Sequence, residues 1–173
     1  MRLDAVVVTA IGALAALLWG MYRRAGPGEV WLPPELRGAR LVYTERLFRT
    51  GGPTSISARV DRVYCSAAGA LVLVELKTRV ANRTYLSDVI ELSAQRLAVM
   101  AETGSAVSNY AFVLTEWPDG RKTGCHRVML IPHIDLLALA TRRQDLLAGV
   151  VEPRPTCSPG MCRKCTFFKQ CAS

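Results

Sequence analysis

Lysine, histidine and aromatic residues are scarce in this chain of 173 residues. It has four lysines against 18 arginines, two histidines (His126 and His133, both expected at the surface or partly packed rather than as ligands) and 7% aromatic residues. Glycine and proline are scattered, which excludes collagen-like and low-complexity chains. Charged residues still make up 21% and hydrophobic residues 50%, so a disordered tail and a multi-span transporter are excluded. The length favours one domain, alone or with a small attachment.

The charge balance is strongly basic. The chain has 22 basic and 14 acidic residues, a net charge of +8. Residues 1–24 contain three arginines and one aspartate, which leaves 19 basic and 13 acidic residues, a net +6, for the remainder. A basic domain suits a polyanion such as nucleic acid, or an anionic membrane surface. Solubility alone is the alternative explanation.

One long apolar run lies at the N-terminus. Residues 5–22 carry no charge, which is the short end of what spans a bilayer. Arg23 and Arg24 follow directly, so the positive-inside rule places the rest of the chain in the cytoplasm. We therefore expect residues 1–24 to form a single-pass anchor in the inner (cytoplasmic) membrane, followed by a linker over residues 25–39. A cleaved signal peptide and a buried core helix are the alternatives.

The remaining chain shows strand and helix patterns in the order strand, strand, strand, helix, strand, strand, helix. Alternation and apolar runs predict strands at residues 40–49, 56–64, 71–76, 109–115 and 125–131, separated by turns that include residues 51–55 and 117–120. Helical patterns run from a cap at Ser87 or Asp88 to about Ala101, and over residues 132–147. This order predicts an α/β or α+β fold with a mixed sheet over residues 40–151.

Two acids and a lysine fall on neighbouring predicted strands. Period 2 puts Glu75 and Lys77 on the same face of one strand, and Asp61 lies on the neighbouring strand of a hairpin. Two carboxylates brought together repel each other unless a cation lies between them, and Mg²⁺ or Mn²⁺ prefers such oxygen ligands. An adjacent ammonium can orient a metal-bound water and neutralise charge on a phosphate. The alternative is an exposed Glu–Lys pair, which contributes little.

These motifs resemble those of the PD-(D/E)xK nuclease superfamily, and more narrowly its RecB-like branch, which includes the CRISPR-associated exonuclease with a C-terminal iron–sulfur cluster. The family order is an acid, G-x-x-D, E-x-K and then Q-x3-Y on a helix. The matching residues over positions 40–171 are Glu45, Ala58-Arg59-Val60-Asp61, Glu75-Leu76-Lys77 and Gln95-Arg96-Leu97-Ala98-Val99. The chain departs from the pattern at Ala58, where the family has Gly, and at Val99, where it has Tyr.

The resemblance implies a restriction-endonuclease-like α/β fold and a metal-dependent DNA nuclease, with exonuclease action on single-stranded DNA favoured. It also implies a role for each matched residue. Asp61 and Glu75 would bind Mg²⁺ or Mn²⁺, and Lys77 would be catalytic. Glu45 would help to hold the metal or its water, and Gln95 would contact DNA or support the site.

Four of the six cysteines fall within fifteen residues near the C-terminus, with the spacing C-x4-C-x2-C-x5-C: Cys157, Cys162, Cys165 and Cys171. Four thiolates this close bind metal or pair as disulfides, and the expected cytoplasmic location disfavours disulfides. A zinc site commonly has two C-x2-C pairs, and one is present here, so an iron–sulfur cluster is favoured over zinc. The C-x2-C-x5-C ending resembles the cluster tail of the same nucleases, which implies a [4Fe–4S] cluster in residues 152–173. Cys65 and Cys125 are expected to be buried within strands.

The combined expectation is a membrane-anchored, metal-dependent DNA nuclease with a cytoplasmic catalytic domain. One alternative is a non-catalytic, membrane-tethered module that keeps the fold and the cluster and binds DNA or docks a partner. Another is a membrane-tethered redox protein in which the cluster is the active element.

Overall fold

The structure is a computed structural model that describes residues 32–52, 55–152 and 159–163. A short 3-10 helix, Pro34–Leu36, precedes five strands: β1 Arg40–Arg49, β2 Ser57–Cys65, β3 Leu71–Thr78, β4 Val107–Glu116 and β5 Lys122–Met129. The helices are α1 Leu86–Thr103, α2 His133–Leu147 and α3 Pro159–Cys162. The predicted element order and the α/β class are confirmed, with element ends shifted by a few residues.

The five strands form one mixed sheet in the order β1-β2-β3-β4-β5. Neighbouring strands pair antiparallel except β3 and β4, which are parallel. A parallel pair needs a crossover connection, and α1 supplies it between β3 and β4. The first five residues of β3 are buried because this strand lies in the middle of the sheet.

Apolar side chains cover both faces of the sheet. On one face they pack against α1 and form a cluster that includes Val63, Leu73, Ala111, Val113, Leu92 and Val99. On the other face the cluster consists of Leu32, Leu36, Tyr64, Val72, Val74, Phe112 and Leu114. Leu32 and Leu36 belong to the predicted linker, so the last part of that segment packs against the sheet. Each fully buried aliphatic side chain contributes roughly 1.5–3 kcal/mol.

Helix α1 begins earlier than the sequence predicts. Its first residue is Leu86 and its N-cap is Tyr85, so neither Ser87 nor Asp88 is the cap. The Asp88 carboxylate instead accepts a hydrogen bond from the Tyr85 backbone N–H at 2.8 Å. Asp88 is drawn into the first turn because it also pairs with Arg79 at the end of β3. The helix ends at Thr103, and Gly104, with a φ of 66°, is its left-handed C-cap.

The expectation that both strand cysteines are buried is wrong for Cys125. Cys65 is half-buried, whereas Cys125 is exposed. The reason is topological, because β5 is an edge strand of the sheet and β2 is an interior one.

Over residues 32–52, 55–152 and 159–163, no helix is long and apolar enough to cross a membrane. The predicted anchor over residues 1–24 lies outside these ranges, and its location in the inner membrane stays a prediction.

Two leucines of α1 test which face of the helix forms the core. Leu92 is fully buried, whereas Leu86 is 69% exposed. We expect Leu92→Ala to lower the free energy of unfolding by about 2–5 kcal/mol, because the lost methyl groups leave a cavity. Leu86→Ala should change it by less than about 0.5 kcal/mol. Urea denaturation followed by circular dichroism measures both, and equal losses would contradict the assignment.

Candidate active site

Asp61 and Glu75 lie at corresponding positions of β2 and β3, at the point where the two strands stop pairing. The two strands pair from Cys65 opposite Leu71 to Arg62 opposite Val74, and the next residues along them are Asp61 and Glu75. There, Oδ2 of Asp61 accepts the backbone N–H of Leu76 at 2.8 Å. This bond holds the Asp61 carboxylate against β3, beside Glu75.

The Glu75 carboxylate is buried, with 4% of the residue exposed. Its Oε1 accepts a hydrogen bond from Lys77 Nζ at 2.7 Å, and its Oε2 accepts one from Gln95 Nε2 at 2.9 Å. Burial raises the pKa of Glu75, and the nearby charges of Asp61 and Glu91 add to the rise. The two hydrogen bonds oppose this shift without cancelling it. The site therefore holds a carboxyl group that the fold does not favour in its ionised form.

Lys77 lies between two carboxylates. Its Nζ donates to Oε1 of Glu75 and to Oε2 of Glu91, each at 2.7 Å. Burial by itself lowers the pKa of Lys77, but the hydrogen bonds to Glu75 and Glu91 outweigh it, and the pKa is raised. Lys77 is therefore a cation at neutral pH, suited to neutralising negative charge rather than to removing a proton.

Helix α1 supplies Glu91 and Gln95, which lie one turn apart on the same side of the helix. Gln95 is 1% exposed and donates to Glu75, so of its two predicted roles the contacts fit support of the site. Glu91 was missed by sequence reasoning. Its spacing of four residues from Gln95 was the available signal. Val99, in the position of the family's tyrosine, is a fully buried core residue.

A paired arginine and aspartate fix α1 to the end of β3. Arg79 donates from Nη1 to Oδ2 of Asp88 at 3.0 Å and from Nη2 to Oδ1 at 2.8 Å. Burial raises the pKa of Asp88, but the hydrogen bonds from Arg79 and from the Tyr85 backbone outweigh it and lower the pKa. This bidentate pair lies two residues beyond Lys77 and three before Glu91, so it determines how the helix residues meet the strand residues.

Glu45 lies on β1 with an unusual backbone. Thr44 pairs with Arg62 and Arg46 with Val60, which places Glu45 opposite Asp61 by count. Its φ is 49°, and it is the one non-glycine residue of the described ranges with a positive φ. Its side chain is exposed. Among the residues that the structure describes, no three His, Cys, Asp or Glu side chains form a group that could hold one metal ion. The structure therefore does not bring Glu45 into one ligand set with Asp61 and Glu75.

The two remaining carboxylates fit a hard divalent cation. Mg²⁺ is commonly held by one or two carboxylates and keeps several waters. Among the described residues, the donor to Asp61 is the Leu76 N–H, and it bonds to Oδ2. The other oxygen, Oδ1, is therefore available as a metal ligand. A cation next to Asp61 and Glu75 would also offset the repulsion that contributes to the raised pKa of Glu75.

The cysteine tail falls mostly outside the described ranges. Cys162 lies in α3 and is half-buried. Cys157, Cys165 and Cys171 lie outside, so the four-cysteine ligand set stays a prediction. His133 is exposed and His126 is partly packed, with Nε2 at 2.7 Å from Oδ1 of Asn82, which agrees with the predicted location of both histidines. That neither is a ligand stays a prediction.

Comparisons with known proteins add little to this geometry. No protein-family model matches the chain, and no curated protein matches it. A solved structure titled "Crystal structure of SSO0001" is similar, with a TM-score of 0.45 and 17% identity over 76% of this chain. The chain covers 60% of the length of that structure. At this level the likeness establishes neither a shared fold nor a function.

The raised pKa of Glu75 predicts that its ionised carboxylate lowers the free energy of unfolding at neutral pH. We expect Glu75→Gln to raise the free energy of unfolding at pH 7.5 in EDTA by an amount on the order of 1 kcal/mol, and the melting temperature with it, because it removes a poorly solvated charge. A carboxyl with a raised folded-state pKa destabilises the fold above that pKa and not below its ordinary value of 4.5. The advantage of the variant should therefore shrink as the pH falls towards 4.5.

Differential scanning calorimetry at several pH values between 5 and 7.5 measures this effect. Glu102→Gln is the control, because Glu102 is an exposed glutamate of α1 that pairs with Arg46 at 2.9 Å and not with the site residues. A melting temperature for Glu75→Gln below that of the wild type at pH 7.5 would contradict the prediction.

Proposed function

We propose that this chain is a metal-dependent deoxyribonuclease whose active site consists of Asp61, Glu75 and Lys77, supported by Gln95. One observation carries the proposal. The fold places two carboxylates at corresponding positions of two neighbouring strands, directly beyond their last backbone pair, and a lysine ammonium donates to the buried one at 2.7 Å. This is the arrangement expected from the motif resemblance, and its members are the residues that the resemblance names.

Each residue has a separate task in the proposed reaction. A divalent cation bound at Asp61 and Glu75 would lower the pKa of a bound water and stabilise charge on the scissile phosphate. Lys77 holds a positive charge at the same place and neutralises charge that develops on the phosphate. Gln95 donates to Oε2 of Glu75 and so fixes the orientation of that carboxylate. The Leu76 backbone does the same for Asp61.

DNA is the proposed substrate, with exonuclease action on single strands favoured by the family resemblance. The net charge of +8 suits contacts with phosphates that do not depend on base sequence. We further propose that residues 1–24 anchor the chain in the inner membrane with the catalytic domain in the cytoplasm. Cys157, Cys162, Cys165 and Cys171 would hold a [4Fe–4S] cluster, with Zn²⁺ as the alternative, and would attach the tail to the domain.

A non-catalytic DNA-binding or partner-docking module is the second candidate. Two observations favour it. Val99 fills the core where the family has a tyrosine, and within the described residues Glu45 does not form a three-acid group with Asp61 and Glu75. The retained contacts of Asp61, Glu75 and Lys77 favour catalysis.

The proposal predicts cleavage that depends on both metal and Lys77. The full chain, purified in detergent without oxygen, should cleave end-labelled DNA in Mn²⁺ and not in EDTA. Asp61→Ala and Lys77→Ala should each lower the rate by at least about 100-fold, because each removes charge stabilisation of the transition state. Gel electrophoresis of the labelled products measures the rate, and the position of the label gives the polarity of digestion.

Lys122→Ala is the matched control, because Lys122 is an exposed lysine of β5 that pairs with Glu116 at 2.6 Å, and the variant should cleave like the wild type. Unchanged cleavage in Lys77→Ala would indicate a contaminating nuclease. DNA binding without cleavage, by a folded protein, would favour the non-catalytic module.

A further inference from the structure

We infer that Glu91 is a positioning residue, which takes over the Lys77 ammonium when a divalent cation occupies Glu75. The inference rests on the proposed function, because it concerns the same site. Glu91 belongs to none of the motifs that predicted the site, and helix α1 brings it there.

The contacts of Glu91 are directed at Lys77. Oε2 of Glu91 accepts Lys77 Nζ at 2.7 Å, the same distance as the bond from Nζ to Glu75. Within the described ranges, Lys77 is the one ion-pair partner recorded for Glu91. The Glu91 side chain is 48% exposed. An ion pair this exposed contributes little to stability. Stabilisation of the fold therefore does not explain why Glu91 shares the Lys77 ammonium with Glu75.

Both oxygens of Glu75 already have donors. Lys77 donates to Oε1 and Gln95 to Oε2, and a cation that binds Glu75 beside Asp61 shares the carboxylate with them and repels the positively charged ammonium of Lys77. Gln95, on α1, is 1% exposed and uncharged, whereas the Lys77 side chain is 23% exposed and has a second acceptor. Lys77 is therefore the donor that leaves, and Glu91 is the acceptor that keeps it within reach of the phosphate.

This role has a consequence that can be measured without catalysis. In a variant without the Glu91 acceptor, Lys77 has Glu75 as its remaining carboxylate, and a cation then competes directly with the lysine. Glu91→Ala should weaken binding of Mn²⁺ at this site by about tenfold, in the range found for residues that orient metal ligands. Glu91→Gln keeps an acceptor oxygen at the same length and should lose clearly less.

The double variant Lys77→Ala/Glu91→Ala separates positioning from simple charge. If Glu91 acts through Lys77, its removal has less than about a twofold effect on Mn²⁺ binding when Lys77 is already alanine, because interacting residues are not additive. If Glu91 acts only as a negative charge, the loss is the same in both backgrounds and the same for Gln as for Ala. That result would overturn the inference.

Titration of the full chain with Mn²⁺, followed by the electron paramagnetic resonance signal of the free ion, measures these affinities. Asp61→Ala identifies the Mn²⁺ that belongs to this site, and Glu102→Ala is the control for loss of an exposed glutamate from α1. Glu91→Ala should also lower kcat for DNA cleavage without changing KM. Failure of the wild type to bind Mn²⁺ at Asp61 overturns the proposed function and this inference together. Binding that is indifferent to Glu91 overturns the inference alone.

Discussion

A carboxylate buried between a sheet and a helix needs a donor for each of its oxygens, and Glu75 imposes that requirement on this fold. Lys77, two residues further along the same strand, is the donor to Oε1. The donor to Oε2 has to come from the covering helix α1, and it is Gln95. Helix α1 is therefore restricted to one position along β3, and the bidentate pair of Arg79 and Asp88 holds it there. The crossover between the two parallel strands is part of the site.

The burial of Glu75 favours the binding of a cation and also lowers the stability of the fold. A carboxyl whose pKa is raised by burial and by neighbouring acids is a stability liability in the free protein. A cation offsets that liability, and so the groups that destabilise the fold are those that would bind metal. Lys77 partly substitutes for the cation, since its ammonium lies between Glu75 and Glu91. The proposed function and the proposed role of Glu91 both depend on the Lys77 ammonium supplying part of the positive charge that a cation would supply.

Much of the fold could be predicted from local patterns. The run LVLVEL predicted the buried strand β3, and alternation in residues 56–64 predicted β2 beside it. The sequence pattern predicts the start of α1 two to three residues late, because the choice of cap depends on Arg79, nine residues before Asp88. Cys125 was expected inside because strand patterns do not reveal which strand lies at an edge. These differences come from contacts between elements, which a local pattern does not contain.

By itself the sequence determined the α/β class, the hairpin of β2 and β3, and the residues Asp61, Glu75, Lys77 and Gln95 as candidates for one site. The class, the hairpin and the cluster of Asp61, Glu75 and Lys77 follow from local patterns such as period 2 along strands, whereas Gln95 is a candidate only through the family resemblance. Only the tertiary structure decided that Gln95 donates to Glu75 and that Glu91 accepts from Lys77. It also decided that, over the part of the chain it describes, Glu45 does not complete a three-acid group with Asp61 and Glu75. The physical reason is that hydrogen bonds at a buried carboxylate depend on where a helix lies over a strand. That position results from packing and from the Arg79–Asp88 pair rather than from the spacing of residues along the chain.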